Sequence, residues 1–172
     1  MKAHTKAALI CTLALLSWQP VAASDSSTCA KYQSKRTVTG LEPDASKLYK
    51  AACLANAGPW EDGFTEESFT YLGKLQDGAG NMYAVAFLST IWGSSGRATN
   101  RLLVFRGNGD YLGRFSNQFS SPALKRPFIL EYPNSPKLGN KVSFKNGIPS
   151  SIWVDGENQP FEAANQSSKR TR

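Results

Sequence analysis

Four carboxylates stand close together in the sequence beside two aromatic residues, and this grouping could do chemistry. The acids are Glu61, Asp62, Glu66 and Glu67, and the aromatic residues among them are Trp60 and Phe64. Glycoside hydrolases use two carboxyl groups, one as proton donor and the other as nucleophile or base. An acidic surface loop has the same composition, so a carboxylate-dependent cell-wall or glycan hydrolase is an alternative prediction and not the leading one.

Histidine chemistry depends on the fate of the N-terminal segment, which holds the only histidine, His4. Two lysines up to Lys6 precede an apolar run over 7–18, and small residues follow up to Ala23. This layout is typical of a secretory signal peptide. The run is shorter than the roughly 20 residues of a membrane-spanning helix. We expect residues 1–23 to be cleaved from an exported protein, periplasmic or secreted, with no transmembrane segment.

Cleavage would exclude several mechanisms, because the remaining 149 of 172 residues contain no histidine. Neither a Ser-His-Asp nor a Cys-His arrangement can be built without one. Zinc sites lose their commonest ligand, and no serine stands three residues before a lysine. We therefore predict that the protein is not an enzyme, and that it has neither a cofactor nor a metal site.

Cleavage also removes Cys11 and leaves two cysteines, Cys29 and Cys53. An even cysteine count in an exported chain favours a disulfide. On the chain-entropy account, closing this loop would destabilise the unfolded state by roughly 3 kcal/mol. The sequence thus predicts a Cys29–Cys53 disulfide, with two buried thiols as the alternative.

The middle third of the chain is strongly basic. Between residues 78 and 130, Asp110 is the only acid against six basic residues. These are Arg97, Arg101, Arg106, Arg114, Lys125 and Arg126. On one face they would attract an anionic partner, whereas on the outer face of a sheet they would be solvated. Export argues against nucleic acid as that partner, and an envelope polyanion-binding protein is a further alternative.

The apolar pattern predicts a mainly β fold. Residues 44–57 have helical spacing and stop at Gly58-Pro59, and short runs of β-forming residues follow. The predicted strands are 69–75, 82–92, 101–106, 110–116, 128–132, 141–145 and 151–154. We expect a single antiparallel sheet or meander of about seven strands, a sandwich or partial barrel with one N-terminal helix. This β-rich domain would cover 24–163, and 164–172 would be a disordered basic tail.

Glycine-containing segments predict turns and close contacts. Hairpin turns are expected at 77–81, 107–109 and 155–158, and at Asn146-Gly147, where Pro149 suggests an edge strand or a bulge. Residues 71–75 and 111–115 share a Tyr-Leu-Gly pattern. We interpret them as similar strand ends in which glycine permits a bulge or a close backbone approach.

Residue types favoured at binding hot spots cluster in and after the loop at 92–97. The predicted partner-binding residues are Trp92, Arg97, Arg101, Arg106, Tyr111 and Arg114. An inward-packed Trp92 in an ordinary strand connection is the structural alternative. The leading hypothesis is a small exported binding protein that masks a partner surface, as periplasmic inhibitors and immunity proteins do. Its partner would be an exported or periplasmic protein such as a toxin or hydrolase.

Overall fold

The computed structural model describes residues 36–39, 44–58, 64–116, 120–133, 140–154 and 156–164. Within these ranges the fold is mainly β with one α-helix, α1 (Asp44–Leu54), as the sequence predicts. The strands are β1 (Arg36–Thr39), β2 (Phe64–Gln76), β3 (Met82–Trp92), β4 (Arg97–Arg106), β5 (Tyr111–Phe115), β6 (Ala123–Arg126), β7 (Ile129–Glu131), β8 (Lys141–Ser143), β9 (Ser151–Val154) and β10 (Glu157–Ala163).

The strands form two sheets, not the single sheet that was expected. The larger sheet has the order β1-β2-β3-β4-β5-β10-β9, and the smaller has the order β6-β7-β8. The larger sheet is mixed because β1 runs parallel to β2, whereas its other pairs are antiparallel. The sheet is open, and β1 and β9 are its edge strands among the described residues.

Helix α1 packs on the sheet through one face. Ala45, Leu48, Tyr49 and Ala52 are buried, and their spacing of three and four residues places them on one side of the helix. The helix is shorter than the expected 44–57, because Asn56 has a left-handed φ of 51° and ends the helical path.

The larger sheet separates two buried clusters. On the helix face, Ala84, Ala86 and Leu103 belong to the cluster that contains the α1 residues. On the opposite face, Val85 and Leu102 join the cluster that includes residues of the smaller sheet. The molecule therefore has three layers, and the central strands β3 and β4 are apolar on both faces, as the sequence of β3 predicts.

The repeated Tyr-Leu-Gly segments lie at bulges, which confirms the interpretation of their glycines. Gly73 has a φ of 131° and Gly113 one of 152°, and the ladder register shifts beside each of them. A Cβ on Gly113 would lie 2.5 Å from Phe161 Cζ, and one on Gly73 would lie 2.8 Å from Leu124 Cδ2. Both positions therefore require glycine for conformation and for space.

Three of the four predicted hairpin turns are confirmed, and the one at 155–158 joins β9 to β10, which pair antiparallel with Val154 opposite Glu157. β2 and β3 pair across residues 77–81, where Asp77 Oδ1 accepts hydrogen bonds from the backbone N–H groups of Ala79 and Asn81. β4 and β5 pair across 107–109.

The prediction of a hairpin at Asn146-Gly147 is wrong. The chain does turn there, with Gly147 N–H donating to Phe144 O at 2.9 Å. However, β8 pairs with β7 and β9 pairs with β10, so the strands on either side of the turn belong to different sheets. The edge position suggested by Pro149 is confirmed, because β9 is the last strand of the larger sheet.

Several predictions lie outside the described residues. They are the signal peptide at 1–23, Cys29, the residues Trp60, Glu61 and Asp62, and the tail from 165 to 172. Cys53 lies in the last turn of α1 and packs against the helix-face cluster, so its pairing with Cys29 stays a prediction. None of the described helices combines the length and the apolar character needed to cross a membrane.

Candidate partner-binding surface

The loop predicted at 92–97 is the tip of a long hairpin. β4 begins at Arg97 rather than at 101, and its ten residues pair in unbroken register with β3. Residues Gly93–Ser95 form a single 3₁₀ turn, after which Gly96 adopts a left-handed φ of 63°. The hairpin tip, defined here as residues 92–97, is therefore a short connection held by a regular ladder.

At the hairpin tip, Trp92 and Arg97 are cross-strand partners. Trp92 is half-buried against the helix-face cluster, and its indole Nε1–H donates to Thr99 Oγ1 at 2.8 Å. Trp92 therefore packs inward, which is the structural alternative that the sequence left open. Arg97 is exposed, and within the described part of the chain its guanidinium has no ion pair.

Arg101 and Arg114 converge on the residues that follow α1. The Nη1 group of Arg114 donates to Ala57 O at 2.6 Å, and Nη1 of Arg101 lies 3.5 Å from the same oxygen. Arg114 Nε also donates to Glu162 Oε2 at 2.9 Å. These arginines tie α1 to β4, β5 and β10, so they have structural partners in addition to any role in binding.

The charges around this point change two pKa values. Burial alone would raise the pKa of Glu162, but the hydrogen bonds from Arg114 and Ser116 and the charges of Arg114 and Arg101 together lower it. Burial raises the pKa of Tyr111 to about 12, although the positive charges of Arg114 and Arg101 act in the other direction. At neutral pH, Glu162 is therefore ionised and Tyr111 is neutral.

The basic middle third does not form one patch. Arg97, Arg101 and Arg114 pair across strands with helix-face residues, whereas Arg106 lies opposite Tyr83, which packs with the cluster of the other face. Lys125 Nζ lies 3.8 Å from Glu131 Oε2. Five of the six predicted partner-binding residues therefore share the helix face of the sheet, and Arg106 does not.

Two of the four acids that suggested a hydrolase are described, and they do not form a pair. Glu66 and Glu67 are consecutive residues of β2, opposite Ile91 and Thr90, so their side chains leave opposite faces of the sheet. Glu66 is exposed, whereas Glu67 is only 1% exposed. The Tyr49 hydroxyl donates to Glu67 Oε1 at 2.7 Å, which places this carboxylate in the contact between α1 and the sheet.

Asp77 stabilises the β2–β3 turn. Its Oδ2 accepts hydrogen bonds from Asn81 Nδ2 at 2.8 Å and from the Tyr83 hydroxyl at 3.1 Å. The side-chain hydrogen bond from Asn81 is the main reason that the pKa of Asp77 is lowered. No group of three potential metal ligands occurs within the described ranges.

No family model, curated protein sequence or solved structure matches the chain.

One exposed aromatic residue is not among the predicted partner-binding residues. Trp153 is 55% exposed, while its neighbours Ile152 and Val154 are buried. The alternation of Ile, Trp and Val could have indicated this, because a strand that buries its β-branched residues directs the residue between them outwards. Glu162 was also missed, since nothing near it in sequence identifies Arg114 as its partner.

Proposed function

We propose that the protein is a small exported binding protein of the inhibitor or immunity type, which masks a partner surface with the tip of its β3–β4 hairpin. The observation that carries the proposal is the cross-strand pair of Trp92 and Arg97. It places exposed Arg97 opposite Trp92, whose ring the core and Thr99 hold in position. Arginine and tryptophan are two of the residues most enriched at binding hot spots.

The rigidity of the hairpin supports this use. Ten consecutive cross-strand pairs join β3 to β4 up to the tip, and the Ser95 hydroxyl donates to Trp92 O at 3.0 Å within it. A binding element that is ordered before association loses less conformational entropy when the complex forms. Export and a Cys29–Cys53 disulfide belong to the same proposal, because a crosslinked scaffold suits a protein that acts outside the cytoplasm.

The partner can be sought by site-specific crosslinking from the hairpin tip. A photo-crosslinking residue at exposed Ser95 should capture an exported protein in the producing cells. The same residue at exposed Lys145, in the turn after β8, serves as the control position. Capture of one protein from Ser95 but not from Lys145 supports the proposal, and equal capture from both positions, or from neither, contradicts it.

Arg97→Ala then tests the pair itself, with Arg106→Ala as the matched control. Both arginines are exposed residues at the ends of β4, but they lie on different faces. Loss of a hot-spot residue costs about 2 kcal/mol or more, roughly thirtyfold in Kd. We expect that loss for Arg97→Ala only, in titrations with the captured partner, and a weaker affinity at high salt.

The same variants separate the alternatives. An envelope polyanion binder would be retained on anionic polymer, and Arg97→Ala and Arg106→Ala would weaken retention alike, since each removes one charge. A glycan hydrolase would degrade purified peptidoglycan or polysaccharide and would lose that activity in Glu66→Gln or Glu67→Gln. Either result would replace the proposal of partner masking.

A further inference from the structure

The β9 edge of the larger sheet has unusual features. β9 is the end strand, and β10 is its neighbour within the described part of the chain. A sheet edge presents unpaired backbone groups, and proteins commonly protect it with charged residues. Residues 149–154 carry no charge, and Trp153 at the centre of β9 is 55% exposed.

The ladder between β9 and β10 determines which backbone groups are open. Phe161 N–H donates to Ser150 O at 2.9 Å, so alternate residues Ile152 and Val154 also direct their backbone groups towards β10. The N–H and C=O groups of Ser151 and Trp153 therefore point away from β10. Pro160, which has no N–H, lies opposite Ser151, as this alternation requires.

We propose that the β9 edge pairs antiparallel with β9 of a second copy of this chain, which joins two sheets into one. The pairing is centred on Ile152, so that Ser151 of each copy lies opposite Trp153 of the other. Both residues have outward backbone groups, and the two edges are therefore complementary without any shift in register. A two-fold axis produces this kind of self-matching contact.

The side chains fit the same arrangement. Residues that lie opposite each other in an antiparallel pair share a face of the sheet. The two copies of Trp153 then stand in diagonal positions, where large aromatic side chains can touch. Since no charged residue lies between 149 and 154, like charges do not oppose each other across the pair. The pairing would cover the most exposed large aromatic side chain among the described residues.

Analytical ultracentrifugation of the purified protein over a concentration series tests the proposal. The wild-type protein should approach twice its monomer mass as the concentration rises. Ser151→Pro removes one outward N–H but keeps Trp153 and the bonds to β10, because proline is tolerated where an edge N–H faces solvent. It should remain a monomer with an unchanged circular dichroism spectrum, whereas Ser151→Thr, which keeps the N–H group, should dimerise like the wild type.

Two further measurements make the test decisive. Trp153→Lys should also be monomeric, because a charge on the edge strand opposes pairing. Arg97→Ala should dimerise normally, so failure of the hairpin-tip proposal leaves this one standing. A wild-type protein that is monomeric at every concentration overturns the proposal, as does a dimer that persists in folded Ser151→Pro. Slow amide exchange in β9 that appears only with another protein would assign the edge to that protein and also overturn it.

Discussion

The two faces of the larger sheet bury different kinds of polar group. The buried cluster on the face opposite the helix is made of aliphatic and aromatic residues, and one neutral amide is buried with it, that of Gln159, whose cross-strand partner is Ile152. The helix face buries the Glu67 carboxylate and the Thr90 hydroxyl beside its apolar residues, and Arg114 lies half-buried there. Apolar contacts are non-directional, whereas buried polar groups require partners in fixed directions. Residues on the opposite face therefore contribute mainly to stability. Buried polar groups on the helix face also fix the orientation of the side chains near the hairpin tip.

The largest effect on stability should come from truncating a buried side chain on the face opposite the helix. Phe115 is fully buried, and its ring centroid lies 5.1 Å from that of Phe161. Phe115→Ala should lower the free energy of unfolding by about 3–5 kcal/mol, the usual cost of truncating a buried phenylalanine. Urea denaturation followed by circular dichroism measures this loss. Phe115→Leu retains most of the volume and should cost much less, and a loss well under 3 kcal/mol in Phe115→Ala would show that this face is not tightly packed.

A smaller but more specific loss is expected on the helix face. Tyr49→Phe deletes the hydroxyl that donates to Glu67 Oε1 at 2.7 Å and keeps the ring that packs edge-on against Phe69. Hydrogen bonds to charged groups contribute about 1.5–3 kcal/mol, and we expect a loss of that size in the same denaturation experiment.

Tyr111→Phe is the matched control for Tyr49→Phe. Tyr111 also packs on the helix face, against Phe105, and among the described residues its hydroxyl makes no hydrogen bond to a carboxylate like that of Tyr49. Its hydroxyl should be dispensable for stability. If Tyr49→Phe changes the free energy of unfolding as little as this control, Tyr49 does not stabilise the buried Glu67 carboxylate. The contrast between the two faces is then weaker than proposed.

The smallest expected effect has the opposite sign. Thr90 is fully buried, and among the described residues its Oγ1 has no hydrogen-bond partner. Thr90→Val replaces this hydroxyl by a methyl group, and leaving a buried polar group unpaired costs about 1–3 kcal/mol. We expect Thr90→Val to stabilise the protein by about 1 kcal/mol, measured as a higher urea midpoint. Thr99→Val, which loses the Trp92 hydrogen bond, should destabilise it, and a destabilised Thr90→Val would imply that the hydroxyl has a partner.

Much of the fold could be predicted from the sequence, because seven strands carry apolar or β-branched runs of their own. Strands β1, β6 and β10 were missed for a physical reason. β10 has the sequence ENQPFEA, with a central proline, and it forms because β5 and β9 offer it backbone partners. The site was less predictable, since the position of Arg97 depends on where β4 begins. A start at 101 gave no position for Arg97, whereas the observed start at Arg97 makes it the partner of Trp92.

The late position of β10 in the chain has a consequence for the order of folding. β5 ends at Phe115, yet its second neighbour is residues 161–163 of β10, more than forty positions later. During synthesis, β5 emerges before β10, and until β10 follows, β5 is half-paired and Arg114 lacks its Glu162 carboxylate. Such long-range closure is slow and leaves a strand edge available for aggregation. A chain cut short before β10 would keep this edge of β5 open, because no other described strand pairs with that side of β5.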